Sequence, residues 1–308
     1  MRIEPASPAA ILEAAQALKR GELVVVPTET VYGLACNALD PQAVQKVFDA
    51  KGRPNENPLI VHIASLDQLR DVAESWPELA EQLAERFWPG PLTLVLPKKD
   101  TVPSETTAGL DTVAVRIPSH PVAMSLITAA GVPIAAPSAN VFMGLSPTTA
   151  EDVDPRVANQ AVMVLDGGRC EVGLESTVVD LSGDHPRILR PGAVSRAEIQ
   201  AVVGRPLGHM PPPQIKRGPG MYNRHYAPNA RLVLVEKLRD DQPGLTFNGS
   251  QSSNQIKMPT DPAPYAAALY RVLRQLDQCG LDAIFVERPP DDPEWEAVHD
   301  RLKKASAD

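Results

Sequence analysis

Between residues 23 and 62, short apolar runs alternate with polar clusters that begin where each run stops. The run 23–26 (LVVV) predicts a buried strand, and Pro27 predicts its end. The turn that follows carries four polar or aromatic side chains: Thr28, Glu29, Thr30 and Tyr32. Polar groups at strand ends do not fill a core, and α/β folds bind ligands beyond the carboxyl ends of their strands. This turn is therefore a candidate ligand site.

Two basic residues follow the next predicted helix. That helix has Asp40 as its expected N-cap and Pro41 at its first position. It delivers Lys51 and Arg53 into a loop, after which a second predicted strand ends in His62. An arginine fork beside a lysine point charge suits a phosphate or a carboxylate, although a solvated surface loop is the alternative. The pattern predicts a site for an anion and a small polar ligand.

The composition is that of a soluble globular protein, with 43% hydrophobic and 22% charged residues in 308. No apolar run approaches the roughly 18 residues that span a bilayer. The amino-terminal segment lacks an apolar signal core, so we expect a cytoplasmic protein without membrane association. The cysteines Cys36, Cys170 and Cys279 have neither a disulfide framework nor metal-ligand spacing, and we predict reduced thiols and no metal site.

Charge and composition divide the chain into three segments. Residues 1–204 carry a net charge of −9, whereas residues 205–228 carry +4 with no acidic residue. The latter segment is rich in proline and glycine and includes Lys216 and Arg217, which predicts a basic, semi-rigid linker. Residues 229–308, with ten basic and thirteen acidic residues, form the third segment. The acidic total argues against nonspecific coating of nucleic acid.

Short strands interleaved with helices predict the fold of residues 1–204. Strands are predicted at 23–26, 59–63, 92–96, 113–117, 134–136, 161–165 and 177–181. Helices are predicted at 8–20, 66–72, 77–87 and 121–130, in addition to the helix that begins at Pro41. Such a pattern is typical of an α/β fold with a twisted, mixed sheet and flanking helices. Residues 229–308 predict a small βαβ-like body, with strands at 232–235 and 283–286 and helices at 265–279 and 293–305.

Three further positions carry polar groups that suit a ligand. The small residues of 135–140 (AAPSAN) leave room near the backbone, with Ser138 and Asn140 as donors and acceptors; an ordinary Asx or Ser turn is the alternative. The sequence Ser146-Pro147-Thr148 suits a helix start capped by Thr148 or Thr149, where a phosphate would bind well. Arg116 ends an apolar strand and needs an anionic partner, which a bound carboxylate would supply.

Two residues and several missing motifs leave the chemistry open. Glu175 is expected to pair with a nearby arginine, and His62 is either a satisfied strand-end histidine or a ligand contact. The sequence contains no Walker A, no GxGxxG after a strand, no HExxH and no GxSxG motif. An enzyme that uses a nucleotide would here need a phosphate site built from dispersed Arg, Lys and Ser.

Nine motifs occur in an order that is specific to one family: PTETVYGL, KGRPNENPLIVH, FWPGPLTLVL, TAGLDTVAVRIPSHP, PIAAPSAN, SPT, DGG, GLESTVVD and LRPG. Over about residues 10–204 the chain resembles the threonylcarbamoyl-AMP synthases, whose catalytic unit is the YrdC-like domain. The segment RGPGMYNRHYAPNARLVLVE resembles the linker of the long, two-domain form of that family.

The resemblance implies a fold and a reaction. The fold is a twisted open sheet around a positively lined cavity, followed here by a small Rossmann-like α/β domain. The reaction joins L-threonine, bicarbonate or CO2, and ATP into threonylcarbamoyl-AMP plus pyrophosphate, with Mg2+ on the phosphates. A downstream threonylcarbamoyl transferase complex then modifies an adenosine beside the tRNA anticodon.

The resemblance also implies site residues by motif position. The L-threonine pocket comprises Thr30, His62, Arg116, Ala136 (through its backbone) and Ser176. The ATP side comprises Lys51, Arg53, Asn57, Thr112, Ser138, Asn140, Ser146, Arg190 and Tyr226, of which Lys51 and Arg53 are the expected catalytic residues. Phe142 and Met143 depart from the family pattern and make the loop before Gly144 bulkier, and the carboxyl-terminal segment is shorter than in the family.

Two alternative functions stay open on sequence alone. One is a carbamoyl-adenylate-forming enzyme of hydrogenase maturation, although its zinc-finger-like cysteine clusters cannot be placed in this sequence. The other is a noncatalytic RNA-binding module, against which the acidic residues 1–204 argue. At most weak direct RNA binding, through the basic linker, is expected.

Overall fold

The computed structural model describes residues 1–208, 224–248 and 254–307. Within residues 1–208, ten strands form one mixed sheet. They are β1 (Ile3–Pro5), β2 (Val24–Val26), β3 (Gly33–Asn37), β4 (Ile60–His62), β5 (Leu92–Pro97), β6 (Thr112–Arg116), β7 (Ile134–Ala135), β8 (Val164–Asp166), β9 (Thr177–Asp180) and β10 (Arg187–Arg190). The predicted mixed sheet is thus confirmed.

The sheet mixes parallel and antiparallel pairs in the order β1-β8-β2-β3-β7-β4-β6-β5-β9-β10. The parallel pairs are β1 with β8, β8 with β2, β4 with β6, and β5 with β9. The remaining neighbours are antiparallel. Because β4 and β6 run parallel, their carboxyl ends meet at the same place, and His62 lies opposite Arg116.

Helices cover the sheet. They are α1 (Pro8–Lys19), α2 (Pro41–Lys51), α3 (Leu66–Val72), α4 (Glu78–Phe87), α5 (Ser104–Thr107), α6 (Pro121–Ala130), α7 (Pro155–Ala158) and α8 (Arg196–Val203). Val24 and Val26 of β2 pack with α1 and α6, whereas Val25 packs in a separate core that contains Phe48 of α2. Successive strand residues point to opposite faces, so a strand buried on both faces reads as the unbroken apolar run seen in the sequence.

The second body is a small parallel sheet whose core also includes Val31, Leu145 and Leu174 of the larger unit. Its strands are β11 (Arg231–Val235), β12 (Gly244–Thr246), β13 (Gln255–Lys257) and β14 (Ala283–Glu287), in the order β11-β14-β12-β13, and all its pairs are parallel. Helix α9 (Pro262–Asp277) precedes β14, and a short 3-10 helix (Pro293–Trp295) leads into α10 (Glu296–Ala305). The predicted small α/β body is confirmed, with β12 and β13 in addition to the predicted strands.

Sequence reasoning missed several elements of the larger sheet. It assigned no strand to residues 33–37, although β3 lies in the middle of the sheet between β2 and β7. It also missed β1 and α8. The predicted helix that begins at Thr148 or Thr149 is wrong. Asp152 instead accepts hydrogen bonds from the backbone amides of Thr148 and Thr149 and from Thr148 Oγ1, which holds this segment in a turn.

The predicted linker is only partly within the described residues. Residues 204–208 and 224–228 contain no helix or strand apart from isolated bridges, and Lys216 and Arg217 lie outside the described ranges. On the carboxyl-terminal side, the Ala227 amide donates to the Met143 carbonyl at 2.9 Å, which ties this part of the linker to the loop before Gly144. No helix in the described ranges is long and apolar enough to cross a membrane.

Candidate active site

A pocket at the carboxyl ends of β4 and β6 collects most of the predicted site residues. It contains about 660 Å³ of space between atoms, a figure that includes its open mouth. Its wall brings together eleven predicted residues: Thr30, Lys51, Arg53, His62, Arg116, Ala136, Ser138, Asn140, Ser176, Arg190 and Tyr226. The dispersed cations of the sequence therefore converge on one hollow.

Arg116 is held rigidly at the end of β6. Its Nε donates to the Gly90 carbonyl at 3.1 Å, and its Nη1 donates to Thr30 Oγ1 at 3.0 Å. Its Nη2 lies 2.5 Å from Glu29 Oε1, and both side chains are at most 5% exposed. Burial alone would raise the pKa of Glu29, but the Arg116 charge and the hydrogen bonds from Arg116 and from backbone amides together lower it. Glu29 is therefore the anionic partner of Arg116 within the protein.

His62 is uncharged beside this pair. Its Nδ1 lies 3.2 Å from the Ile60 carbonyl oxygen, and the side chain is buried at the end of β4. Burial, followed by the neighbouring Arg116 charge, lowers the pKa of His62 to about 3. A neutral imidazole can exchange hydrogen bonds with a polar ligand without adding charge.

Ser176 and Arg190 meet because β9 and β10 are antiparallel. Ser176 immediately precedes β9, and Arg190 ends β10. Arg190 Nη2 donates to the Ser176 carbonyl at 2.9 Å and to its Oγ at 3.1 Å, while Nε donates to the same carbonyl. The Ser176 hydroxyl also lies 2.7 Å from Thr93 Oγ1 on β5. A Cβ on Gly192 would lie 2.5 Å from the Ser176 carbonyl carbon, so only glycine permits this approach.

Lys51 and Arg53 come from the end of α2. Asp40 caps the start of that helix, as predicted, and Gly52 ends it in the left-handed conformation at φ +58°. Lys51 Nζ donates to the carbonyls of Ser138 and Asn140, which fixes the loop after β7. Burial, reinforced by the Arg53 charge, lowers the pKa of Lys51 well below its ordinary value.

Arg53 is anchored by its own loop. Its Nη2 donates to the carbonyls of Asn57 and Pro58 at 3.1 and 3.0 Å, and its guanidinium carbon lies 5.9 Å from the centre of the Phe48 ring. The side chain is buried and lines the pocket. Asn57 is thus brought to Arg53 through its backbone.

Glu175 is the one carboxylate on the wall among the described residues. Its Oε1 accepts from Ser146 Oγ at 2.5 Å, and its Oε2 accepts from Tyr270 and Arg301 of the second body at 3.0 and 2.8 Å. The predicted arginine partner exists and comes from α10. Burial alone would raise the pKa of Glu175, but Arg301 and then Arg190 lower it to about 2.

The linker closes one side of the pocket with two rings. His225 and Tyr226 are both buried, with ring centres 4.0 Å apart, and both line the wall. Burial lowers the pKa of His225 to about 3 and raises that of Tyr226 to about 12. Sequence reasoning found Tyr226 but missed His225 and the wall residue Phe142. The adjacent aromatic pair after a glycine- and proline-rich stretch was the available signal for His225.

Three predicted residues are not on the enclosed wall. Asn57 lies behind Arg53, and Ser146 lies behind Glu175. Thr112 lies four residues before Arg116 on β6, about 13 Å away at the usual rise of a strand. Residues two apart on a strand share a face, so Thr112, Ala114 and Arg116 point to the same side. Their roles in ATP binding stay predictions.

Comparisons with known proteins agree over nearly the whole chain. Residues 16–192 match the family model described as telomere recombination, and residues 194–307 match the model of the threonylcarbamoyl-AMP synthase carboxyl-terminal domain. The threonylcarbamoyl-AMP synthase of Pyrococcus abyssi is 44% identical, with 95% of this chain and 93% of the relative covered. The chain belongs to the threonylcarbamoyl-AMP synthase family. The predicted family and its long two-domain form are confirmed.

Two further relatives support the same assignment. The threonylcarbamoyl-AMP synthase of Bacillus subtilis is 42% identical, with 96% of this chain and 92% of the relative covered. The crystal structure of P. abyssi Sua5 complexed with L-threonine is 42% identical and superposes with a TM-score of 0.91, covering 99% of this chain and 96% of that one. The fold of this threonylcarbamoyl-AMP synthase family member therefore includes both bodies, and the predicted class of enzyme is confirmed.

Proposed function

We propose that the pocket joins L-threonine, bicarbonate or CO2, and ATP into threonylcarbamoyl-AMP and releases pyrophosphate. The observation that carries the proposal is the convergence of four cations, Lys51, Arg53, Arg116 and Arg190, on one buried wall. The charge of Glu175, on the same wall, is compensated by Arg301. Even with Glu29 counted against Arg116, the basic side chains named here outnumber the two carboxylates, which suits a site for a carboxylate and a triphosphate.

The threonine carboxylate would bind Arg116. A guanidinium fork at the end of β6 suits a carboxylate, and Arg116 is held in place by its hydrogen bond to Thr30. His62, Ser176 and the backbone of Ala136 would take the remaining polar groups. A structure with this fold is described as complexed with L-threonine, which supports the substrate.

The triphosphate would bind Lys51, Arg53 and Arg190, with Ser138, Asn140 and Tyr226 beside it; Asn57, Thr112 and Ser146 complete the proposed ATP side. Mg2+ would arrive with ATP as part of the substrate, bound to phosphate oxygens as this hard cation prefers. ATP binding would favour the charged form of Lys51, because the phosphates offset the burial that lowers its pKa in the ligand-free protein.

The chemistry needs two bond-forming steps. The unprotonated threonine amine forms a bond to the carbon of CO2 and loses a proton, which gives a carbamate. A carbamate oxygen then forms a bond to the α-phosphorus, and the bond from that phosphorus to the bridging oxygen breaks to release pyrophosphate. Both steps concentrate negative charge, so fixed cations would lower the barrier by orientation and electrostatic stabilisation.

The reaction is tested by omission with the full chain. Pyrophosphate release and threonylcarbamoyl-AMP, detected by mass spectrometry with ¹³C-bicarbonate, should require ATP, L-threonine and bicarbonate together. Lys51→Ala and Arg53→Ala should each abolish the release, while circular dichroism stays that of a folded protein. Release without threonine, or near wild-type turnover in either variant, would contradict the proposal.

The product would serve a separate transferase complex in the cytoplasm that modifies an adenosine beside the tRNA anticodon. At most weak direct binding of RNA is proposed, since residues 1–204 are acidic. Filter binding of labelled tRNA at low and moderate salt checks this part. Tight binding of tRNA without any turnover would favour the noncatalytic RNA-binding alternative.

A further inference from the structure

The second body supplies a charge to the wall of the pocket. Arg301 lies on α10 and is 1% exposed, yet its partner Glu175 lies in the segment that enters β9. Arg301 Nη1 also donates to the Pro191 carbonyl at 3.0 Å, next to Arg190. Its guanidinium carbon lies 4.8 Å from the centre of the Tyr226 ring. One side chain thus contacts three segments of the wall.

The two bodies are packed closely at this point. A Cβ on Gly173 would lie 2.6 Å from the Ala267 Cα of α9, and Gly173 also has a positive φ of +71°. Arg274 of α9 donates to the Ser146 carbonyl and pairs with Asp152. The position of Arg301 relative to Glu175 is therefore set by backbone packing on both sides.

Glu175 lies within the influence of two arginines. Arg301 and Arg190 both attract its carboxylate, in that order, and together lower its pKa. The hydrogen bonds of Arg190, however, go to Ser176, whereas those of Glu175 go to Ser146, Tyr270 and Arg301. Without Arg301, Arg190 would exert the strongest remaining attraction on the Glu175 carboxylate among the described residues.

We infer that Arg301 is a positioning residue that acts as the counter-ion of Glu175 and thereby leaves Arg190 available to the ATP phosphates. The inference deepens the proposed function and rests on it. The role gives the second body a part in the reaction: it completes the ATP side of the pocket from outside. A buried carboxylate that lacks a partner would repel the triphosphate and would attract Arg190.

The test uses steady-state kinetics of the full chain with four proteins: wild type, Arg301→Met, Glu175→Gln/Arg301→Met, and Arg196→Ala. Methionine keeps an unbranched apolar stem but removes the guanidinium that lies over the Tyr226 ring. Arg301→Met should raise the KM for ATP at least tenfold and should change the KM for threonine less. The double variant should return the KM for ATP to within about threefold of wild type, because it lacks the unpaired carboxylate.

Arg196→Ala is the matched control. Arg196 pairs with Glu296 across the same two bodies at 2.6 Å, but it is 40% exposed and does not contact the wall. Its loss should leave both KM values unchanged. A folded Arg301→Met protein with the wild-type KM for ATP would overturn the inference, and so would a double variant with a KM as high as that of Arg301→Met.

Two outcomes distinguish a failure of this inference from a failure of the proposed function. If Arg301→Met does not fold, the double variant alone decides, and a tenfold rise in its KM for ATP overturns the counter-ion role. If the wild-type chain forms no threonylcarbamoyl-AMP, the proposed function fails. Isothermal titration of the same four proteins with ATP then still tests whether Arg301 controls nucleotide affinity.

Discussion

Two buried arginine–carboxylate pairs border the pocket, and they are arranged in opposite directions. In the first, Arg116 lines the wall and Glu29 lies behind it. In the second, Glu175 lines the wall and Arg301 lies behind it. The first pair lies within the ten-stranded sheet unit, whereas the second joins the two bodies. The same kind of pair thus presents a cation at the proposed threonine side and neutralises an anion at the proposed ATP side.

This difference predicts that replacing both members of a pair restores stability in each case but restores function for one pair only. Removing one partner of a buried pair leaves an uncompensated charge, and removing both relieves it. For Glu175 and Arg301, relief should restore both stability and ATP binding. For Glu29 and Arg116, relief should restore stability alone, because the substituted arginine is itself the proposed ligand contact.

Arg116→Met is expected to have the largest effect. It should lower the free energy of unfolding by about 3–5 kcal/mol, because Glu29 is left buried without its cation. Threonine-dependent pyrophosphate release should fall to background. Urea unfolding and the release assay measure the two effects. Glu29→Gln/Arg116→Met should recover most of the stability and none of the activity; recovered activity would remove the distinction between the two pairs.

A control for this variant is Arg156→Met. Arg156 pairs with Asp154 at 2.8 Å, but its side chain is 73% exposed. Exposed pairs contribute little, so its free energy of unfolding should stay within about 1 kcal/mol of wild type. A loss of unfolding free energy as large as that of Arg116→Met would show that burial does not determine how much a pair contributes to stability.

Glu29→Gln should have an intermediate effect that depends on threonine. It leaves the Arg116 charge uncompensated in the ligand-free protein and should lower the free energy of unfolding by about 1.5–3 kcal/mol. Added L-threonine would then supply the missing carboxylate. Thermal melts should therefore show a larger threonine-induced rise in Tm than wild type shows. An equal or smaller rise would mean that Arg116 does not bind the carboxylate.

The histidines provide the smallest predicted effect, one on each side of the pocket. His62 and His225 both have a folded-state pKa of about 3, below the ordinary value near 6.5. The unfolded chain therefore binds protons first, and stability falls as the pH drops from about 6.5 toward 3. Between pH 6 and 5, His62→Gln or His225→Gln should each reduce this loss by about 1 kcal/mol. Urea unfolding at both pH values checks this. A variant that loses as much free energy of unfolding between pH 6 and 5 as the wild type would contradict it.

The sequence predicts the proposed threonine side of the pocket better than the proposed ATP side. Thr30, His62 and Arg116 come from strand ends whose apolar runs are unmistakable, and the parallel pairing of β4 and β6 brings two of them together. The interior strand β3 was missed because its sequence, GLACN, begins with glycine, ends with asparagine and has Leu34 as its one large apolar residue. Strand position then depends on tertiary packing more than on local propensity.

The proposed ATP side depends on contacts between residues that are far apart in the sequence. Glu175 and Arg301 are 126 residues apart, and neither α10 nor its charge pattern indicates that one arginine is buried against another body. The expectation of an arginine partner for Glu175 was correct in kind, but its identity required the packing of α9 and α10. For Ser146, the motif position predicted a contact with ATP. In the structure its hydroxyl donates a hydrogen bond to Glu175, a contact that the sequence did not indicate.

The most direct test is a crystal structure with L-threonine and a nonhydrolysable ATP analogue. We expect the threonine carboxylate on Arg116 and the phosphates among Lys51, Arg53 and Arg190, with Glu175 still paired to Arg301. A triphosphate bound outside this pocket, or a threonine carboxylate that does not contact Arg116, would contradict it.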